Sequence, residues 1–74
     1  MTNGFNLENY EFAIRLQQSL NSTVQIITNF SAITGKVIQV LNNYAVLQEA
    51  NEDFTLIPFS SIDSLILLSE EGNL

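Results

Sequence analysis

The chain has 74 residues, enough for one domain at most, and it contains neither cysteine nor histidine. Disulfides and thiolate metal sites are excluded, and the commonest metal ligand and general base is missing. Eight acidic and two basic residues give a net charge of −6, which disfavours binding to nucleic acid or to anionic lipid. A domain of this size buries only about 60% of its unfolded surface. We therefore expect association with other chains to support it.

A helix is predicted over residues 7–20. Asn6 is a favourable N-cap, and Glu8 lies in the first turn, where the helix dipole favours a negative charge. Apolar residues recur along one side of this helix and form a stripe of Tyr10, Phe12, Ala13, Ile14, Leu16 and Leu20. Asn21 and Ser22 end the helix. We expect it to cover an open end or face of the remaining structure.

Strands with alternating or continuous apolar character are predicted over residues 23–28, 32–41, 44–48, 54–57 and 62–68. An acidic loop over residues 49–53 and one tight helical turn over residues 59–61 separate the last three strands. Asn42 and Asn43 form a two-residue turn, because Asn tolerates the positive φ that favoured hairpin turns require.

The second strand is predicted to be strongly bent. Gly35 interrupts it, and glycine within a strand often marks a bulge or a tight corner. Val37 and Val40 cannot both point inward on a flat strand, so a bend or bulge is needed between them. The fold class expected is therefore mainly β: an N-terminal helix followed by a five-stranded, strongly bent small barrel over residues 7–68. Residues 1–6 form a tail, and residues 69–74 form an acidic tail.

Two sequence features point to association with protein. Between Phe12 and Gln48 only Arg15 and Lys36 are charged, and the centres of protein interfaces are depleted in charge. The last two strands are also apolar on both faces, whereas a half-solvated strand alternates. A neighbouring subunit would cover them. The predicted oligomer interface consists of Phe54, Leu56, Ile57, Leu65, Ile66, Leu67 and Leu68.

After the leading helix, the chain carries the short motifs Val24-Gln25-Ile26, Gly35-Lys36-Val37, the run from Val40 to Leu47, Ile57-Pro58, and Ile62 with Leu65, in this order. This pattern resembles the Sm-like fold, both its Hfq branch and the small Sm-like or SH3-like barrels of spore-associated proteins from endospore-forming bacteria. The resemblance implies rings, in which the fourth strand of one copy pairs with the fifth strand of the next. A contact of this head-to-tail kind closes a ring or extends a filament.

The RNA site of such rings matches this chain poorly. The resemblance places the first contact at Asn42, Asn43 and Tyr44, without the acidic residue usual there. The second region, Pro58 to Ser61, lacks the usual Arg or Lys. Tyr44 could stack on a base, although packing explains it better. Three hypotheses stay open: a self-assembling structural protein of a spore layer or another protein array, an RNA-binding ring with a degenerate site, and an adaptor that binds another protein.

Enzymatic and metal-dependent functions are disfavoured. Glu49, Glu52 and Asp53 lack the ligand spacing and central glycine of a calcium loop, so a solvated hairpin tip is expected. No nucleophile and base can be paired, and no glycine-rich phosphate loop exists. We expect no cofactor. Residues 1–6 carry no signal-peptide pattern, and the longest aliphatic run, residues 65–68, cannot span a membrane, so cytoplasmic synthesis is expected.

Overall fold

The computed structural model describes residues 7–69, which form one helix, five strands and one 3-10 turn. Their bounds are α1 Leu7–Gln18, β1 Thr23–Thr28, β2 Ala32–Val40, β3 Tyr44–Gln48, β4 Phe54–Pro58, the 3-10 turn Phe59–Ser61 and β5 Ile62–Ser69. Each predicted element is confirmed, with ends shifted by no more than two residues. The predicted N-cap Asn6, the side chain of Glu8 and the tail over residues 1–6 lie outside the described part. Of the acidic tail predicted over residues 69–74, only Ser69 is described, and it ends β5.

All five strands form one antiparallel sheet in the order β4-β3-β2-β1-β5. β1 pairs with β2 and β5, and β3 pairs with β2 and β4. Within residues 7–69, β4 and β5 do not pair with each other, so the sheet stays open and has these two strands as its edges. The mainly β architecture with an N-terminal helix is thus established, and closure of the sheet into a barrel is not observed in this part of the chain.

A bulge in β2 brings both of its valines to the core. Val37 pairs with Leu47 and Gln39 pairs with Val46, which leaves Ile38 as an extra residue without a partner in β3. Val37 is fully buried and Val40 packs against the core, so the predicted irregularity between them is confirmed. It lies at Ile38 rather than at the glycine.

The core lies between the inner face of the sheet and α1. Its fully buried members are Leu16, Val24, Ile26, Val37, Ala45 and Leu47, joined by Ile57, Phe59, Ile62 and Leu65. α1 packs against β2, β3 and the 3-10 turn, and it inserts Leu16 into this core. Tyr10 and Ile14, which were predicted to belong to the buried stripe, are exposed, because the sheet covers only the narrower line through Leu16. No helix in residues 7–69 is long and apolar enough to cross a membrane.

Positive φ angles occur in two connections, but not where the sequence predicted them. Among the described non-glycine residues, only Asn21 (φ 68°) and Glu52 (φ 72°) have positive φ. Asn21 reverses the chain after α1, and its N–H donates to the Val37 carbonyl at 2.7 Å. The turn at Asn42 and Asn43 forms as predicted, but the expectation of positive φ there is wrong. The Asn43 carbonyl accepts from the Phe59 N–H instead, which ties this turn to the 3-10 turn.

Gly35 is required by a close approach of two strands. A Cβ at this position would lie 2.8 Å from the backbone carbonyl oxygen of Gln48 and 3.3 Å from the Leu47 Cβ. Because the first of these atoms belongs to the paired backbone, β2 and β3 would have to separate to make room.

Gly35→Ala should therefore destabilise the protein by about 1–3 kcal/mol in urea unfolding followed by circular dichroism. The exposed neighbour Thr34→Ala should change stability by less than about 0.5 kcal/mol, and equal effects of the two variants would contradict this explanation.

The loop between β3 and β4 places an L-residue where glycine is normally found. The Glu52 N–H donates to the Glu49 carbonyl and the Glu49 N–H donates to the Asp53 carbonyl, both at 2.8 Å. This is a type I turn followed by a residue in the left-handed region, a connection that favours glycine or asparagine at its last position. The left-handed backbone of Glu52 costs about 1–2 kcal/mol.

Replacing Glu52 should stabilise the protein. Glu52→Asn and Glu52→Gly should each raise the free energy of unfolding by about 0.5–1 kcal/mol, since part of the gain with glycine is offset by the entropy of the unfolded chain. Ala50→Gly in the same loop serves as the control, because Ala50 does not have positive φ. That substitution should leave stability unchanged or lower it. A loss of stability in both Glu52 variants would show that the side chain, and not the backbone angle, decides the effect.

Candidate functional site at the sheet edges

The first sheet edge, β4, has one buried and one exposed face. Ile57 belongs to the core, whereas Phe54 and Leu56 are 60% and 59% exposed on the outer face. Strand geometry explains this, because successive side chains point to opposite faces and only one face of β4 meets the core. We call Phe54 and Leu56 the β4 patch. Ile57, part of the predicted interface, can reach a partner only through its backbone.

The second edge, β5, repeats this arrangement. Leu65 is buried opposite Ile26 of β1, whereas Ile66 and Leu68 are exposed on the outer face. We call Ile66 and Leu68 the β5 patch. Leu67 lies on the core side opposite Val24, but it extends past the core and is 46% exposed. The prediction that both faces of the last two strands are covered is therefore not met by one chain, since the outer faces are open to solvent.

Both edges carry few of the features that usually protect a sheet from adding further strands. Proteins commonly guard an edge with lysines, inward charges, proline or a covering element. β4 contains no charged residue and has proline only at its last position, Pro58. β5 contains one charge, Asp63, next to its first residue. Each edge thus combines an apolar patch with a row of backbone groups that lack a strand neighbour in residues 7–69, and on β5 one of them, the Leu65 carbonyl, accepts from Arg15. Such an edge can accept another strand through its main chain and specify it through the patch.

Arg15 links the helix to the β5 edge. Its guanidinium Nη2 donates to the Leu65 carbonyl at 3.0 Å, although the two residues are 50 positions apart. In the sequence Arg15 stands out only as one of the two charged residues between Phe12 and Gln48. No sequence pattern predicts this bond, because it depends on how α1 is placed over the sheet. The contact holds the C-terminal turn of α1 against the strand that carries the β5 patch.

The predicted RNA contact lies at the opposite end of β3 from Lys36. Asn42 and Asn43 are exposed in the β2–β3 turn, and Tyr44 is half-buried at the start of β3 opposite Pro58. Lys36 pairs with Gln48 at the other end of β3, about 13 Å along the strand from Tyr44. The structure therefore brings the three predicted residues together and places no cation beside them within residues 7–69, since the Arg15 guanidinium is bound to β5.

Carboxylates of the acidic loop accept hydrogen bonds from polar groups of the same β3–β4 hairpin. The Thr55 hydroxyl donates to the Glu49 carboxylate, and the Asn51 amide donates to Asp53 Oδ2 at 2.9 Å. The Asp53 N–H donates back to Asn51 Oδ1 at 3.1 Å. No group of three acidic side chains able to hold a metal ion exists in residues 7–69. These bonds stabilise the hairpin tip itself.

One exposed aromatic residue was not predicted. Phe30, which lies between the strands predicted over residues 23–28 and 32–41, is 91% exposed at the tip of the β1–β2 hairpin. The signal that could have identified it is composition, because a large apolar residue between Asn29 and Ser31 is unusual in a polar turn.

Comparisons with known proteins supply no family for this chain. No protein-family model matches the sequence, and neither a curated protein nor a solved structure matches it. The resemblance to Sm-like proteins accordingly stays a prediction from short motifs.

Removing the Arg15 side-chain bond should loosen β5 in particular. Arg15→Met keeps a long apolar side chain but cannot donate to Leu65, so we expect a loss of about 1 kcal/mol in unfolding experiments. Hydrogen exchange should quicken in β5 more than in β3. Gln18→Met, an exposed position near the end of the same helix, is the matched control and should change neither quantity. Uniformly faster exchange across the sheet would contradict the local role of Arg15.

Proposed function

We propose that this chain is a non-catalytic, self-assembling structural protein that forms a ring or filament by pairing β4 of one copy with β5 of the next. In this assembly each copy of the chain is one subunit, and the subunit is of the Sm-like or SH3-like barrel kind. A spore layer or another protein array is the setting that the sequence resemblance favours. The partner is another copy of the same chain.

One observation carries this proposal: the two strands that the resemblance pairs between copies are the two edges of the sheet, and both bear exposed apolar patches. When an edge of one copy meets the opposite edge of another, the sheet continues from one subunit into the next. The β4 patch and the β5 patch then lie side by side on the same outer face, because side chains of paired strands share a face.

The free energies of burial and association favour two joints per subunit over a single joint. Fully burying a Leu, Ile or Phe side chain contributes about 1.5–3 kcal/mol, and these four side chains are roughly half exposed, so each contributes about 1 kcal/mol at the joint. Main-chain hydrogen bonds between the edges add to this sum. Association itself costs at least about 4 kcal/mol. A subunit in a ring or filament has two such joints, one at each edge, and closure of a ring removes both unprotected edges.

Thiol cross-linking tests the pairing directly, since the chain has no cysteine of its own. Leu56→Cys and Ile66→Cys place single thiols on the β4 patch and the β5 patch. If opposite edges meet, an equimolar mixture of the two variants should give dimers with a short bis-maleimide at least about tenfold faster than either variant alone. The yield is measured on denaturing gels and by mass spectrometry.

Two further outcomes would oppose the proposal. Cross-linking within the Leu56→Cys variant alone would show that β4 pairs with β4, which gives closed dimers and no ring. Ile38→Cys is the control, because Ile38 is partly exposed on β2 in the middle of the sheet. If Ile38→Cys cross-links with Leu56→Cys as fast as Ile66→Cys does, the reaction reports random collision and the edge contact is absent.

A further inference from the structure

The open edge of β5 is covered at one point by a side chain from α1. Arg15 lies in the last turn of α1, and its Nη2 donates to the Leu65 carbonyl at 3.0 Å. On its other side β5 pairs with β1, and within residues 7–69 no strand lies beyond β5. Charged side chains at an edge are one of the ways in which proteins keep further strands from adding to a sheet. The bond therefore bears on whether β5 accepts a strand.

The Leu65 carbonyl points to the open edge of the sheet. Across the β1–β2 hairpin the Thr28 N–H donates to the Ser31 carbonyl at 2.8 Å. Backbone groups of successive residues in an antiparallel strand point alternately to its two neighbours, so the backbone of Ile26 is directed to β2 as well. Leu65 lies opposite Ile26 and therefore directs its carbonyl away from β1. The acceptor that Arg15 binds is one that an added strand would use.

The guanidinium and an added strand compete for this acceptor. The backbone of the added strand would lie about 4.8 Å from β5, with an N–H nitrogen about 2.9 Å from the Leu65 oxygen. Arg15 Nη2 already lies at such a distance from that oxygen. Because both donors approach from the open side, the added strand has to displace the guanidinium in order to pair along the whole edge.

Arg15 is anchored at its base and free to leave at its tip. The next residue, Leu16, is fully buried in the core, and the Ser19 hydroxyl donates to the Arg15 carbonyl at 2.8 Å. The Arg15 side chain itself is exposed, so a displaced guanidinium returns to water without crossing the core. Displacement then costs only the net contribution of one hydrogen bond, which lowers an association constant about fivefold.

We propose that Arg15 guards the β5 edge, so that a strand of another copy pairs there only by displacing the guanidinium from Leu65. This regulation rests on the proposed function, in which β5 accepts β4 of the next copy. A joint between β4 and β5 displaces one guanidinium. A joint between two β5 strands displaces two, since each copy brings its own. The guard therefore slows assembly and favours the head-to-tail joint over a closed β5–β5 dimer.

A merely structural role of Arg15 predicts the opposite effect on assembly. If the bond served only to hold β5 in place, its loss would loosen β5, and a loosened strand loses more conformational entropy when it pairs. Assembly would then become weaker without Arg15. Under the guard, the same substitution makes assembly stronger, so the sign of the change separates the two roles.

The experiment adds Arg15→Met to the cysteine variants Leu56→Cys and Ile66→Cys, and it measures bis-maleimide cross-linking at concentrations where most chains are single. The mixture of the two variants should cross-link about fivefold faster, and Ile66→Cys alone about 25-fold faster. Leu56→Cys alone should not change, because its joints do not involve β5. Lys36→Met is the matched control, since it lowers the net charge equally from the middle of the sheet, and it should change no rate.

Arg15→Lys keeps the charge and a donor and should retain most of the guard. Circular dichroism checks folding, and Arg15→Gln, whose donor is two atoms closer to the backbone, replaces Arg15→Met if that variant is unfolded. An unchanged or slower rate without Arg15 overturns the guard alone, provided that the mixture still outpaces each single variant. Equal acceleration by Lys36→Met also overturns it. A mixture that never outpaces the single variants, with or without Arg15, overturns the guard together with the proposed function.

Discussion

Five strands in one sheet leave two edges, and α1 packs mainly against β2, β3 and the 3-10 turn, reaching the β5 edge through Arg15. Most of the surface chemistry of the molecule follows from this constraint. The inner faces of β4 and β5 are needed for the core, where Ile57 and Leu65 are buried. Their outer faces carry further apolar side chains, and their outward backbone groups have no strand neighbour in residues 7–69. A partner strand would satisfy the backbone and cover the patches at once.

The bulge in β2 makes the core possible on so short a chain. Because Ile38 is the extra residue of the bulge, Val37 and Val40 both face inward. β2 therefore packs against the core on both sides of the bulge. Val37 is also fixed by the segment that leaves the helix, since its N–H donates to the Ser22 carbonyl and its carbonyl accepts from Asn21. The helix, the first strand and the bulge are thus tied together at one residue. This junction positions α1, and with α1 it positions Arg15 beside β5.

The sequence predicted those features that depend on local patterns. Alternation and continuous apolar runs located every strand, because each strand has one face on the core. The conflict between Val37 and Val40 indicated the bulge, since parity along a strand is fixed by geometry. Positive φ at Glu52 was missed, because turn statistics favour Asn and Gly there, and loop length decided the conformation instead. Ile14 was assigned to the core because the helical stripe does not reveal how wide the facing surface is. The hydrogen bond from Arg15 to Leu65 depends on tertiary placement, which no local pattern encodes.

The central claim, that the edges of the sheet exist to join copies of the chain, is tested most directly by the mass of the unmodified protein in solution. Sedimentation equilibrium at a series of concentrations in the micromolar range measures that mass without labels or substitutions. Edge pairing in a ring gives one defined multiple of the chain mass, above two, and edge pairing in a filament gives a mass that grows with concentration. A folded protein that sediments as a single chain at every concentration would contradict the claim.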